Sequence, residues 1–144
     1  MAQANELRHV AVILDGNGRW ATQHGVERKE GHLAGANRVV DFMNYISRYE
    51  SIRYVTLYAF STENWKRSKE EVDALMNILA KFLDDNLEVL LREKVRLLTA
   101  GDISAPPEPC RIRLDKVKRE TGKSLHARSS SRSTTVRAWR SRMP

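Results

Sequence analysis

An apolar run, Val10-Ala11-Val12-Ile13-Leu14, stops abruptly at Asp15-Gly16-Asn17-Gly18-Arg19-Trp20, and this junction constrains the chain most. A short branched run of this kind reads as a buried strand. Two glycines, an aspartate and an asparagine cannot continue it and make a tight turn. The turn leaves a carboxylate at the C-terminal edge of a strand, beside glycines that let backbone N–H groups approach an anion and beside Arg19. Open α/β sheets place their ligands at that edge. The pattern suits a metal-bound phosphorylated substrate, with Asp15 on the metal and the N–H groups and Arg19 on phosphate oxygens. An ordinary Asp-Gly turn is the bland alternative.

A second junction repeats the arrangement. Tyr54-Val55-Thr56-Leu57-Tyr58-Ala59 is rich in β-branched and aromatic residues. It runs into Phe60-Ser61-Thr62-Glu63-Asn64-Trp65-Lys66-Arg67, again polar, charged and tryptophan-bearing. Two strands ending this way suggest two sides of one site.

Between and after them the helical period dominates. Residues 32–49 place Ala36, Val39, Val40, Met43 and Ile46 on one face, with Gly31 and Gly35 near the start permitting close approach of backbone or phosphate. Ser68 with Glu71 three residues on is a capping-box pattern. The helix behind it should run to about Glu93, its stripe including Val72, Leu75, Met76, Leu79, Phe82 and Leu83. Val95-Arg96-Leu97-Leu98-Thr99-Ala100 then reads as a third strand. Strand, helix, strand, helix, strand predicts an α/β fold with a parallel sheet flanked by helices.

The segments His9 to Ala21 and Thr56 to Arg67 closely resemble the cis-prenyltransferases, the undecaprenyl diphosphate synthases or isoprenyl transferases of bacteria. Arg28 and the Gly31-His32-x-x-Gly35 pattern match too, and the resemblance covers roughly residues 9–102. It implies a transferase that condenses isopentenyl diphosphate with an allylic prenyl diphosphate, such as farnesyl diphosphate, to give a cis-polyprenyl diphosphate. Mg2+ would assist. Asp15 becomes the metal-linked carboxylate that helps the allylic diphosphate depart. Gly16, Asn17, Gly18 and Arg19 cradle that diphosphate, with Arg28 and His32 adding donors. Developing leaving-group charge is the main thing such a site must stabilise. Trp20 and Trp65 orient and shield substrate, against core packing as the alternative. Asn64, near Ser61, Thr62 and Glu63, is the family's proton acceptor. An amide is a very weak base, so a positioning role fits its chemistry better. Arg67 belongs with the second diphosphate. The long helix would line a tunnel for the growing isoprenoid, with plain core packing as the alternative. Where the family usually has proline after this arginine, the chain has Ser68, itself a good N-cap.

Composition narrows the remaining choices. The chain has 144 residues, 30% of them charged and 41% hydrophobic, with one cysteine, which excludes an internal disulfide framework. The first eight residues lack the apolar core of a signal peptide, and no apolar stretch approaches the roughly 20 residues that span a bilayer. A cytoplasmic protein is expected, with peripheral membrane contact through its lipid product.

The net charge is +7; five arginines follow Lys123 and no acidic residue follows Glu120. The tail has little aromatic interleaving, so nucleic acid is not an expected partner. Residues 105–109 read as a stiff linker and 110–120 as a short charged helix, with 121–125 starting a strand. Residues 1–125 are then the N-terminal part of the α/β domain, and 126–144 a disordered basic tail.

The family is homodimeric and longer than this chain. The resemblance implies that its dimer contacts and part of the isopentenyl diphosphate site are missing, leaving three strands with an open edge and little turnover. Ser133-Thr134-Thr135-Val136-Arg137 in a frame shifted by one base permits Leu-Asn-Tyr-Gly-Ser, close to the family's pattern. The residues after about Lys123 are therefore expected to be an out-of-frame translation, a natural tail being the alternative. A catalytically silent prenyl-diphosphate-binding homologue, or a subunit of an active partner, is the alternative to an enzyme.

Overall fold

The computed structural model describes residues 6–123 and 132–139, apart from the side chains of 61–63 and 132–139. The elements are β1 (His9–Ile13), α1 (Asn17–Gln23), α2 (Arg28–Ile46), β2 (Tyr54–Ser61), a 3-10 turn (Thr62–Lys66), α3 (Lys69–Arg92), β3 (Val95–Ala100), α4 (Glu108–Lys123) and β4 (Arg132–Trp139). The four strands form one parallel sheet in the order β1-β2-β4-β3. The fold is α/β, as the alternation of periods predicts.

Strand pairing follows side-chain alternation. Val10 and Val12 stand opposite Val55 and Leu57, so their side chains share one face. Val39 and Ile46 of α2 cluster with Val55 and Leu57, with Val10, Val12 and Phe82 packed against them. A second cluster joins Val72, Met76 and Leu83 of α3 to Leu97 of β3 and Cys110, Leu114 and Val117 of α4. Leu83 and Val117 are 2% and 1% exposed; burying side chains of this kind contributes about 1.5–3 kcal/mol each before ordering costs. Ser68 caps α3, its hydroxyl accepting from the Glu71 N–H at 3.3 Å.

The sheet corrects the sequence reading at its far side. The tail was expected to be disordered from residue 126 and the sheet to stop at three strands. Instead β4 lies between β2 and β3, in parallel with both, its register to β2 shifting once between Tyr58 and Phe60. A central parallel strand has its backbone groups satisfied from both sides, whatever its side chains, and Thr134-Thr135-Val136 supplies three β-branched residues in a row. Serine and arginine composition hid that run.

The strand expected to start at Thr121 is the last turn of α4. The stiff linker also gives way: Glu108 and Pro109 open α4, where proline's missing N–H costs nothing. α4 covers the outer edge of β3, and Arg113 ties it to Asp84 of α3 at 2.8 Å. Residues 1–5, 124–131 and 140–144, including the rest of the expected tail, lie outside the described residues.

Candidate active site

β1 is joined to β2 one residue past its end, where Leu14 N–H donates to Tyr58 C=O at 3.2 Å. Asp15 follows. Its carboxylate accepts from the Gly16 N–H at 2.6 Å and lies 3.5 Å from the Arg19 guanidinium, with both side chains 78% exposed. Gly16 has φ 94°, a left-handed conformation that L side chains rarely adopt. That turn reverses the chain into α1, so the expected turn is one residue followed by a helix that starts at Asn17.

Asn17 occupies the place the sequence reading left open for backbone or phosphate beside the α2 glycines. A Cβ at Gly31 would collide with the Asn17 carbonyl, and one at Gly35 with its side-chain amide. The glycines let α1 lie directly on α2. Trp20 is stacked on His24 with ring centroids 4.1 Å apart and is 40% exposed.

Arg28 and His32, on the first turns of α2, meet Arg67 at one carboxylate. Glu71 Oε1 accepts from Arg67 Nη1 at 2.5 Å, and both its oxygens lie 3.4 Å from Arg28 Nη1. His32 Nε2 is 3.5 Å from Oε1 but buried and without a hydrogen-bond partner. Burial works to raise the Glu71 carboxyl, but Arg67 and Arg28 together hold it below the usual value. Burial pushes His32 below the ordinary imidazole range; Glu71 pulls the other way, and Arg67 and Arg28 oppose it.

The structure therefore departs from a reciprocal capping box. Ser68 caps the Glu71 N–H, while the Glu71 carboxylate turns to the arginines. Glu71 is the site residue that sequence reasoning missed; its helix-start position offered a complete local explanation and masked its long-range partners.

His32 and Arg67 of this cluster line a cavity of about 480 Å3. Asp15, Gly16, Asn17, Gly18, His32 and Arg67 line its mouth together with Asn64, and Phe42, Leu75 and Met76 line its apolar depth. A second cavity of about 200 Å3 lies between α2, α3 and the sheet, lined by Met43, Ile52, Val55 and Leu90 among others. Val39, Leu57, Leu79 and Phe82 belong to both walls.

Of the expected site residues, Asp15, Gly16, Asn17, Gly18, His32, Asn64 and Arg67 come together on this cavity. Arg19 joins through Asp15, and Arg28 through Gly18, where a Cβ would lie 3.4 Å from its Nε. Trp65 packs edge-on against Phe60 at 4.7 Å, in the core cluster of α3 and α4. The side chains of Ser61, Thr62 and Glu63 lie outside the described residues.

A polar strand-edge cradle opening into an apolar slot has counterparts among known proteins. The family described as "Putative undecaprenyl diphosphate synthase" matches residues 13–130. The chain belongs to this family. The match reaches past Asp102, where the resemblance in the sequence fades. Isoprenyl transferase of Wolinella succinogenes is 47% identical over 104 residues, 72% of this chain and 45% of the relative. That of Clostridium tetani is 42% identical over 126 residues, 85% of this chain and 49% of the relative.

Among solved structures, lavandulyl diphosphate synthase from Lavandula x intermedia, in complex with dimethylallyl diphosphate, superposes with TM-score 0.80 at 29% identity. That match covers 91% of this chain and 53% of the other. A probable undecaprenyl diphosphate synthase from Campylobacter jejuni gives TM-score 0.65 at 30% identity, covering 93% of this chain and 54% of the other. The chain spans about half the length of these relatives.

Proposed function

We propose that this chain binds an allylic prenyl diphosphate and carries the allylic half of a cis-prenyltransferase reaction, in which isopentenyl diphosphate is the second substrate. The observation that carries the reading is one cavity that joins Asp15, His32 and Arg67 to an apolar wall of Val39, Phe42, Leu75, Met76 and Phe82, with a second apolar cavity adjoining it across Val39, Leu57, Leu79 and Phe82. A diphosphate head and a hydrocarbon tail have this polarity.

Mg2+ fits the residues present in one way. Among the described residues no three His, Cys, Asp or Glu side chains cluster as a metal cage. Asp15 is exposed, beside Arg19. Magnesium keeps water and phosphate ligands and often takes one or two carboxylates, so Asp15 would hold an ion whose other oxygens come mainly from diphosphate. The bound ion would neutralise charge on the departing diphosphate. The chain's own residues bind and orient. Arg19 and Arg28 face the diphosphate, and His32 adds a donor to a phosphate oxygen. The Gly16 turn presents backbone N–H groups, and Trp20 shields the reacting end from water. Asn64 positions the second substrate or a water, with Arg67 on the second diphosphate; Ser61, Thr62, Glu63 and Trp65 belong to the same side by family resemblance.

Among the described residues no helix is long and apolar enough to cross a membrane. A cytoplasmic location, with membrane contact through the lipid product, completes the reading; the homodimer belongs to the family.

Titration of the folded chain with farnesyl diphosphate and Mg2+ tests it. Metal-dependent heat that Asp15→Ala removes supports the site, and absence of heat with folded wild-type protein overturns it. A labelled isopentenyl diphosphate assay separates the two forms of the proposal. Turnover marks a transferase, and binding without turnover marks a silent homologue or the subunit of an active partner. Out-of-frame translation after Lys123 is tested at the DNA level: a family-like continuation in a shifted frame supports it, and its absence from both alternative frames refutes it.

A further inference from the structure

Three basic groups from two segments converge on Glu71. Arg28 and His32 come from α2, and Arg67 comes from the turn ahead of α3. Among the described residues no other titratable group lies within ion-pair distance of this carboxylate. The Glu71 side chain is 17% exposed, that of His32 9%, and that of Arg28 60%.

The three contacts are unequal. Arg67 is held at 2.5 Å, Arg28 only at 3.4 Å, and the His32 Nε2 makes no hydrogen bond. Arg28 also lies over Gly18, at the cradle itself. It is thus a loosely held, solvent-facing cation within reach of two anion positions, one filled by Glu71 and the other open to a ligand.

We propose that Glu71 is a placeholder anion, which satisfies Arg28 alongside Arg67 until a diphosphate draws Arg28 away and then shares a proton from solvent with His32. This rests on the diphosphate reading above. A carboxylate with little exposure cannot lose its cations without cost. Two remedies are open: Arg28 remains and resists the ligand, or a proton replaces it. The unpartnered Nε2 beside Oε1 supplies the second remedy without any rearrangement of the backbone. Ligand binding and proton uptake are then linked. No bond other than that to the proton is made or broken.

Calorimetric titration with magnesium pyrophosphate near about pH 7, in two buffers of different ionisation enthalpy, counts the protons taken up. Wild type should take up more protons per ligand than Glu71→Gln, and the comparison cancels the ionisation of pyrophosphate itself. Because Arg28 is largely exposed and held only at 3.4 Å, its pairing is modest in strength, and Glu71→Gln should bind pyrophosphate about 2- to 5-fold tighter. His32→Gln should lose the extra proton uptake while keeping the carboxylate, which serves as a second measurement if the first variant folds poorly. Equal proton counts in wild type and both variants overturn the proposal, as does weaker binding by Glu71→Gln, which would make the carboxylate a clamp that positions the arginines. If wild type binds no pyrophosphate, the diphosphate reading itself falls and this inference with it.

Discussion

The Thr121 hydroxyl, on the last turn of α4, accepts a hydrogen bond from the Leu97 N–H of β3 at 3.1 Å and donates one to the Val117 carbonyl at 2.7 Å. Thr121 is 1% exposed. β3 is an edge strand, and a buried edge N–H without a partner is costly. One side chain thus seals the sheet edge against α4. Thr121→Val keeps the shape and removes the acceptor. It should destabilise the fold by about 1–3 kcal/mol, read from chemical denaturation; a midpoint unchanged from wild type would show that the edge is satisfied otherwise. Thr121→Ser should retain most of the stability.

Much of this fold was legible because it rests on local rules. β1, β2 and β3 are apolar or β-branched runs, and α3 combines a Ser68 cap with a long apolar stripe. Asp15, Asn64 and Arg67 sit at strand-end turns, so their convergence on one cavity followed from the topology of parallel sheets. What escaped was non-local. β4 gets its place from pairing on both sides, which composition does not report. Glu71 has partners 43 residues away in Arg28, and a capping motif already accounted for its position. The glycines of α2 were expected to admit phosphate or backbone, and the occupant proved to be Asn17, whose partnership with Gly35 appears only when α1 lies on α2.

That contact makes a second expectation specific. Gly35→Ala would thrust a methyl group into the Asn17 amide, and overpacking of this kind costs about 1–3 kcal/mol. The strain would push α1, and with it the Gly16 turn, away from α2. Loss of magnesium pyrophosphate affinity should therefore accompany loss of stability. Asn17→Ala in the same background makes room for the methyl group and should recover part of the stability. If the double variant is no more stable than Gly35→Ala alone, the clash is not the cause.

Acid should weaken the fold in two stages. His32 has a depressed value in the folded state, so below the ordinary value of 6.5 the unfolded chain binds a proton that the folded chain resists. Stability is fully present above that value and declines as pH falls. Glu71 is likewise depressed, so its contribution is present above 4.5 and is lost as pH drops through its lower folded value. Both groups act in the same direction. Thermal unfolding between about pH 8 and pH 4 should show a falling Tm with a first limb that His32→Asn flattens. A Tm that rises on acidification through this range would contradict the neutral, buried His32.

Phe82 belongs to the wall between the two cavities, together with Val39, Leu57 and Leu79. It is half-buried and packs against the α2–β2 cluster rather than filling its centre. A larger ring at this point should narrow the passage without emptying the core. Phe82→Trp is therefore expected to leave affinity for dimethylallyl diphosphate within about 2-fold while weakening farnesyl diphosphate by about 10-fold or more, since each buried methylene contributes roughly 0.8 kcal/mol. Paired titrations with the two ligands read the difference directly. Equal weakening of both would place the effect at the charged mouth, and no weakening of either would show that the hydrocarbon tail does not pass Phe82 on its way inward.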